Sequence, residues 1–439
     1  MTRTSKKNFE VAIIGGGISG LTLGIALHHR GIPTRIYEQA AEFAEIGAGV
    51  SFRENAIQAM KHCHQGVYEA FEKVRVGNLW PNKQNVWFDY HDGYHQKPSG
   101  ETFAFTIQTP VGQAGVHRAH YLNELVHLFP SERSHFGKRL EGLEKDGDGR
   151  WRMKFVDGSS AVADAIIGCD GIKSKMRSLM FGEDHPCARP TYTHKYAYRG
   201  LTNMEDAVKA VGEEKAKTAC MHMGPGGHLL TFPVNSGKTL NIVAFKTSPT
   251  DWPDPEKLVR RGKLSDALHD FQNYNADVLS LLNLCPPDLD IWAIFHSADH
   301  PVPTFALGTL CLVGDAAHAT SPHHGAGAGF CIEDAAILAH LLADPRVATR
   351  EDLEKVFLAF DEVRRERALW LPRSSSFIGD CYEWMAEGVG EDFEKIEHEI
   401  LVRNRIIGDV DVEGMLRGAR ECLTGRLGMG GGGGGNSGR

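Results

Sequence analysis

The segment "FEVAIIGGGISGLTLGIALHHRGIPTRIYEQA" constrains the fold of this chain more than any other. Phe9 to Ile14 is a short apolar, β-branched run, which predicts a buried strand. Gly15, Gly17 and Gly20 follow at G-x-G-x-x-G spacing. Ile18 to His29 carries apolar residues at helical spacing, and Gly31 ends it. "TRIYE" predicts a second strand that finishes on Glu38. Strand, glycine turn, helix and strand in this order make a dinucleotide-binding βαβ unit. Gly15 permits the tight turn, Gly17 lets the backbone approach a pyrophosphate, and Gly20 lets the helix pack on the strand. The free N–H groups at the helix start attract the anion. Glu38 stands about 20 residues on, where a carboxylate accepts hydrogen bonds from both hydroxyls of an adenosine ribose. The same charge repels a 2′-phosphate, so FAD or NAD is expected here rather than NADP.

Two later segments share the strand-then-turn pattern. "ADAIIGCDGIKSKMR" is an apolar strand ending in Asp170-Gly171, followed by Ser174 and Arg177. "GTLCLVGDAAHATSPHHGAGAGFCIEDA" is another, ending in Gly314-Asp315, followed by a loop and a helix from near Gly327. His318, His323 and His324 in that loop raise the question of a metal. Their spacing is not i, i+4 and no Cys or H-E-x-x-H partner accompanies them, so no metal is expected. His318 reads as a structural loop residue. No nucleophilic triad is evident, and no second G-x-G-x-x-G follows a strand.

The formal net charge of -8 argues against a general nucleic-acid binder. Nine cysteines are scattered without a CxxC pair, and several lie in apolar runs, as Cys311 does in "TLCLVGD". That usage fits free thiols in a reducing compartment, so a cytoplasmic location is expected. The polar start "MTRTSKKNFE" reads as no cleavable signal, and no apolar stretch is long enough to span a bilayer.

The glycine fingerprint, the D-G segment with its Ser and Arg, and the G-D segment with Pro322 and "EDA" occur in a characteristic order. In this the chain resembles the single-component FAD-dependent aromatic monooxygenases, the salicylate hydroxylase-like class that includes fungal phenol and polyketide hydroxylases. The resemblance runs from Phe9 to about Arg367. It implies an α/β fold: a Rossmann-type FAD-binding domain of the hydroxybenzoate hydroxylase kind, an inserted mixed-sheet substrate domain, and C-terminal helices. The boundaries expected are 9–185 with 300–345 for the FAD domain and 186–299 for the substrate domain. Helices are expected over 346–425 and a flexible Gly-rich tail over 426–439.

The resemblance also implies roles. Asp315 would bond a ribityl hydroxyl of non-covalent FAD, and Gly327, Ala328 and Gly329 would approach the flavin with the helix dipole at its pyrimidine end. Many relatives carry Gln where this chain has Ala326; "GAGAG" is the salicylate hydroxylase version. "VHRAHYLNEL" resembles the family's H-R segment and makes Arg118 a cofactor contact. "EIGAGVSF" resembles the loop over the ribose and flavin, with Gly49 and Ser51 contacting FAD, although Glu54-Asn55 stands where the family often has Pro-Asn. Asp170 would reach FAD through water and help place the nicotinamide; alternatively it pairs with Arg177 to hold the turn.

NADH or NADPH would visit the flavin face, and O2 would add to give a flavin hydroperoxide that a phenolate attacks. The catalytic candidates are Arg199 in "YAYRGLT", His228 in "MHMGPGGHLLTFPV", and His324. His323 and His324 either touch substrate or form a solvent-exposed pair. Phe232-Pro233 replaces the common Tyr-Pro and removes a hydroxyl from the site. Decarboxylating hydroxylation of a salicylate and hydroxylation, dearomatising or not, of a larger phenol both stay open. So do a monomer and a homodimer. The reading from a different class is a nicotinamide dehydrogenase or a non-catalytic dinucleotide-binding protein, which would be colourless as purified or hold NAD.

Overall fold

The computed structural model describes residues 7–43 and 49–428. Residues 44–48, which take in the start of the "EIGAGVSF" loop, and residues 429–439 of the expected tail lie outside the described residues; residues 426–428 of that tail instead end the helix Val412–Gly428.

The strand Val11–Ile14 is buried at every position and sits inside a six-stranded sheet. It pairs in parallel with Ala165–Gly168 on one side and Thr34–Tyr37 on the other. Leu310–Leu312 extends the parallel set beyond Ala165–Gly168. Continuous apolar runs are what a parallel sheet covered on both faces requires. The helices Ile18–His28 and Gly327–Leu342 pack together in the main core, and both are buried along most of their length.

The second sheet has eight strands, in the order Val259–Lys263, Asp288–His296, Thr191–Asn203, Thr239–Thr247, Gly227–Val234, Cys220–Gly224, Val86–Asp92 and Phe103–Gln108. Strand side chains alternate between faces. Tyr198, Leu229, Ile242, Ala244 and Ile291 bury one face against the helices Met204–Val211, Leu264–Asp270 and Ala276–Asn283. Ala197, Val243, Phe245 and Ile294, with Leu230, form a small separate apolar cluster on the other face. The expected boundaries need adjusting here. Val86–Asp92 and Phe103–Gln108 lie within 9–185 yet belong to the second sheet, because Val86–Asp92 pairs in parallel with Cys220–Gly224.

The helix Leu353–Tyr382 runs for 30 residues, about 45 Å at 1.5 Å per residue. Its first half, with Val356, Phe357 and Phe360, packs into the core of the first sheet. Its last turns, with Ile378, Cys381 and Tyr382, pack against the second. One helix therefore ties both sheets together. Phe393–Gly408 and Val412–Gly428 complete the C-terminal region. No helix among the described residues is long and apolar enough to cross a membrane.

Candidate active site

Parallel pairing brings the carboxyl ends of four strands side by side. Gly15, Glu38, Asp170 and Asp315, distant in sequence, thereby meet along one cleft of about 990 Å³. That volume is at the upper end for small-molecule sites, and the carboxyl ends of a doubly wound sheet are where dinucleotides bind.

The glycines are dictated by space. Gly15 has φ +100°, and a Cβ there would lie 2.4 Å from the carbonyl oxygen of Cys169. A Cβ on Gly20 would lie 2.0 Å from the carbonyl oxygen of Gly15, so strand and helix approach as closely as glycine allows. Gly17 caps the helix Ile18–His28 in extended conformation, and no acidic residue occupies the first turn. The first-turn N–H groups thus face the cleft with their positive end uncompensated.

Glu38 already supports this loop. Its Oε2 accepts from the Gly16 N–H at 2.6 Å and its Oε1 from the Ala40 N–H at 2.8 Å. Each carboxylate oxygen has a second lone pair, so Glu38 keeps capacity for two sugar hydroxyls where it lines the cleft.

Asp170 accepts from Ser174 Oγ at 2.6 Å and from the Met176 N–H at 2.9 Å. Burial pushes its carboxyl above the ordinary range. No Asp170–Arg177 hydrogen bond forms. With Asp170 engaged by Ser174 and Met176, the Arg177 guanidinium donates to the carbonyls of Ile172 at 2.6 Å, Ala316 at 3.0 Å and Ala188 at 3.3 Å. Arg177 is a functional residue the sequence reading underrated: it staples the Asp170 loop to the Asp315 loop.

Asp315 begins a short helix directly after Gly314, whose φ is +64°. Beneath it lies a largely buried brace that supplies the physical meaning of "EDA". Asp334 accepts from the Gly314 N–H at 3.0 Å, from His318 Nε2 at 2.7 Å and from Arg364 Nε at 2.8 Å. Glu333 accepts from Arg364 at 2.6 Å, Arg367 at 2.8 Å and Asn55 at 2.6 Å. Burial alone would raise Asp334, but His318 and Arg364 outweigh it and hold the carboxyl at about 2. The sequence signal was available: two adjacent acids inside the apolar helical run "GFCIEDAAILAHLL" must have buried partners.

Gly325 turns the chain at φ +62°, and the helix Gly327–Leu342 then starts with Gly327 and Ala328 lining the cleft. Arg118 also lines it, at the start of the helix Arg118–Val126. Gly49 and Ser51 form a short strand paired with Gly115–His117. Gly49 abuts the second sheet, since a Cβ there would meet the Phe232 ring at 2.4 Å. Ser51 is buried behind it. The cleft walls carry both signs, with Arg118, Lys138, Arg139, Lys173, Lys175 and Arg189 set among Glu38, Glu141, Asp170, Glu183, Glu256 and Asp315.

The three catalytic candidates separate. Arg199 is half-buried with its guanidinium carbon 4.5 Å from the Trp292 ring centroid. Burial, reinforced by the charge of Arg118, lowers its pKa to about 10. Among the described residues no carboxylate pairs with it, and its Nε has no partner. His228 is fully buried, stacked on Phe245, with Nδ1 3.2 Å from Glu383 Oε1. His324 turns away from the cleft: its Nε2 lies 2.9 Å from Ser374 Oγ on the long helix, and its ring stacks on Trp370. Burial brings its pKa down to about 3. His323 points to the second sheet instead, edge-on to Phe245 and His228. Both are buried, so they are no solvent-exposed pair. With His318 on Asp334, the three loop histidines diverge, and no metal-ligating cluster of three occurs among the described residues.

Glu38→Ala and Asp315→Ala are each expected to lower FAD occupancy while leaving the fold intact. Each would remove charge-assisted bonds to sugar hydroxyls of the cofactor, worth about 1.5–3 kcal/mol apiece. Flavin released by acid precipitation, counted by absorbance against protein, checks this. Full occupancy and unchanged affinity in both variants would count against the assignment.

The comparisons agree with this geometry. The model of the FAD binding domain family matches residues 8–368. A FAD-dependent monooxygenase of Aspergillus niger is 42% identical over 441 residues, covering 96% of this chain and 98% of that one. A salicylate hydroxylase of Sarocladium schorii is 38% identical, covering 95% and 91%. A solved salicylate hydroxylase with bound substrate superposes with a TM-score of 0.83 at 30% identity, over 94% and 98% of the two chains. The chain therefore belongs to the FAD-binding family as a FAD-dependent monooxygenase of the salicylate hydroxylase type.

Proposed function

We propose that this monooxygenase hydroxylates a small phenolic substrate with NADH or NADPH as reductant and O2 as oxygen source. The observation that carries the reading is Arg199. A guanidinium beside apolar walls, with no carboxylate partner among the described residues, is a seat for a substrate anion. Registers place it level with Val243 and Leu230, on the face of the second sheet that carries the separate apolar cluster.

The chemistry that FAD supplies when bound is reduction by a nicotinamide and activation of O2. The chain's own residues do the rest. Arg199 holds the phenol oxygen and favours its ionised form; it cannot itself be deprotonated, so it is no base. Val243, Leu230 and Phe232 supply apolar walls that exclude water. The positive end of the helix Gly327–Leu342 stabilises negative charge at the cleft. Phe232, where relatives often carry Tyr, makes the pocket less polar and favours a phenol with apolar substituents over a simple salicylate. A decarboxylating reaction is the second reading, supported by the salicylate hydroxylase relatives.

Arg199→Gln tests the assignment. Flavin content should be unchanged and product formation at least about tenfold lower, equivalent to ~1.4 kcal/mol. The pH optimum should move upward, because the phenol must then ionise unaided. Wild-type turnover and pH profile in the variant would remove Arg199 from the site.

A further inference from the structure

Arg199 holds one point of a phenol and leaves the ring free to swing about that contact, so a single productive orientation needs a second anchor. The sheet face beside Arg199 offers one. Arg199 stands level with Val243, and one same-face step along, Leu201, Asn241 and Phe232 stand level across three strands. This end of the face is open to solvent, since Arg199 is half-buried and Leu201 is 47% exposed. Asn241 lies inward of Leu201, between it and the buried Phe232, and is itself only 5% exposed.

Asn241 is thus a polar side chain in an apolar row. Its Nδ2 is buried and has no hydrogen-bond partner among the described residues. Buried amide donors are nearly always paired, so an unpaired one beside a substrate anchor marks a place where a ligand completes the set. Nδ2 only donates, so what it lacks is an acceptor oxygen. Phe232 bounds this place on one side and has no hydroxyl of its own to offer. Gly49 closes over Phe232, because a Cβ there would lie 2.4 Å from the ring. Asn241 and Arg199 are diagonal neighbours on adjacent strands, about 7–8 Å apart at Cβ. The Arg199 guanidinium leans over Trp292, on the strand that flanks Thr191–Asn203 on the side away from Asn241. That tilt widens the gap between the two donors to the length of one substituted ring, with Val243 as part of its floor.

We propose that Asn241 is a specificity-determining residue that donates a hydrogen bond to a second oxygen on the substrate, across the ring from the phenol oxygen held by Arg199. Anchors at opposite ends stop the ring from turning in its own plane, and so fix which ring carbon faces the cofactor. An oxygen adjacent to the phenol, as in a salicylate, stays on the Arg199 side and leaves the Asn241 donor unpaired. A buried donor left unpaired is what rejects a wrong isomer. This inference rests on the phenol reading above.

The test uses the FAD-loaded, oxidised enzyme, with no reductant. The probes are 4-hydroxybenzaldehyde and 2-hydroxybenzaldehyde, isomers whose carbonyl lies across the ring from the phenol or beside it. Dissociation constants are read from the flavin difference spectrum. Wild type should bind the 4-isomer more tightly. Asn241→Leu should shrink that preference at least about tenfold, because the carbonyl then meets an apolar wall. Arg199→Gln should weaken both isomers and keep the preference. Comparing the ratio of the two constants between proteins cancels the difference in acidity of the isomers. Should Asn241→Leu fold poorly, Asn241→Asp reads the same ratio, since it keeps the shape and replaces the donor by an acceptor. If neither isomer nor any other small phenol perturbs the wild-type flavin, the phenol reading itself fails. If phenols bind but wild type does not prefer the 4-isomer, or if the Asn241 variant keeps the wild-type preference, the Asn241 assignment is overturned.

Discussion

Arg364→Met should destabilise the protein by about 3–5 kcal/mol. Arg364 is fully buried and bonds both Asp334 and Glu333, which are equally buried. Removing it strands two carboxylates, with only His318, Arg367, Asn55 and one backbone N–H to offset them. The acid dependence should change in step. Asp334 has a folded pKa of about 2, below its unfolded value of 3.8. Its stabilising contribution is therefore complete above the unfolded pKa and is lost as pH falls from there through about 2. Urea unfolding of wild type and variant at pH 7 and at pH 3 measures both effects. The stability gap should be widest at pH 7. Equal stability of the two proteins at pH 7 would show that the brace is not the support inferred here. The loss should extend to FAD affinity, because the Gly314 N–H that begins the Asp315 loop rests on Asp334.

Gly20→Ala has the second large effect. Its Cβ would stand 2.0 Å from the Gly15 carbonyl oxygen, which is backbone and cannot rotate aside. Relief requires the helix Ile18–His28 to lift from the strand by about 1 Å, and overpacking of this kind costs ~1–3 kcal/mol. The same shift withdraws the first-turn N–H groups from the pyrophosphate, so FAD affinity should fall at least tenfold. Gly24→Ala is the matched control on the same helix. Its Cβ would first meet the Ile36 Cδ1 tip at 2.7 Å, a side-chain end that can move. Calorimetric titration of the flavin-stripped proteins with FAD separates the two. Equal FAD affinity for Gly20→Ala and Gly24→Ala would contradict the close-approach argument.

The cofactor half of the site was legible because each strand of a parallel sheet announces itself. Apolar runs ending in Gly15, Glu38, Asp170 and Asp315 must place those residues at one sheet edge, whatever lies between them. The hairpin over Val86–Gln108 was not legible, since its parallel partner, Cys220–Gly224, lies over a hundred residues away and a short apolar run does not name its neighbour. The orientation of the paired histidines was also hidden. It depends on the left-handed turn at Gly325 and on Ser374 and Gly379 of the long helix, against which the two rings seat. Glu383 left even less trace. "DCYEWM" reads as the frayed end of a helix until the second sheet closes over it.

The most direct measurement of the central claim is reductant consumption by the purified yellow protein under O2, with and without a phenol, with product mass followed in parallel. NAD(P)H oxidation should be slow alone and accelerate on adding a phenol, because a class without its own nicotinamide domain must withhold reduction until substrate is seated. The product should gain one oxygen atom, and that atom should carry the label when ¹⁸O2 is supplied. A protein that consumes NAD(P)H at one rate whatever phenol is present, accelerates only with an alcohol or hydroxy acid, and puts no labelled oxygen into any phenol would contradict the account.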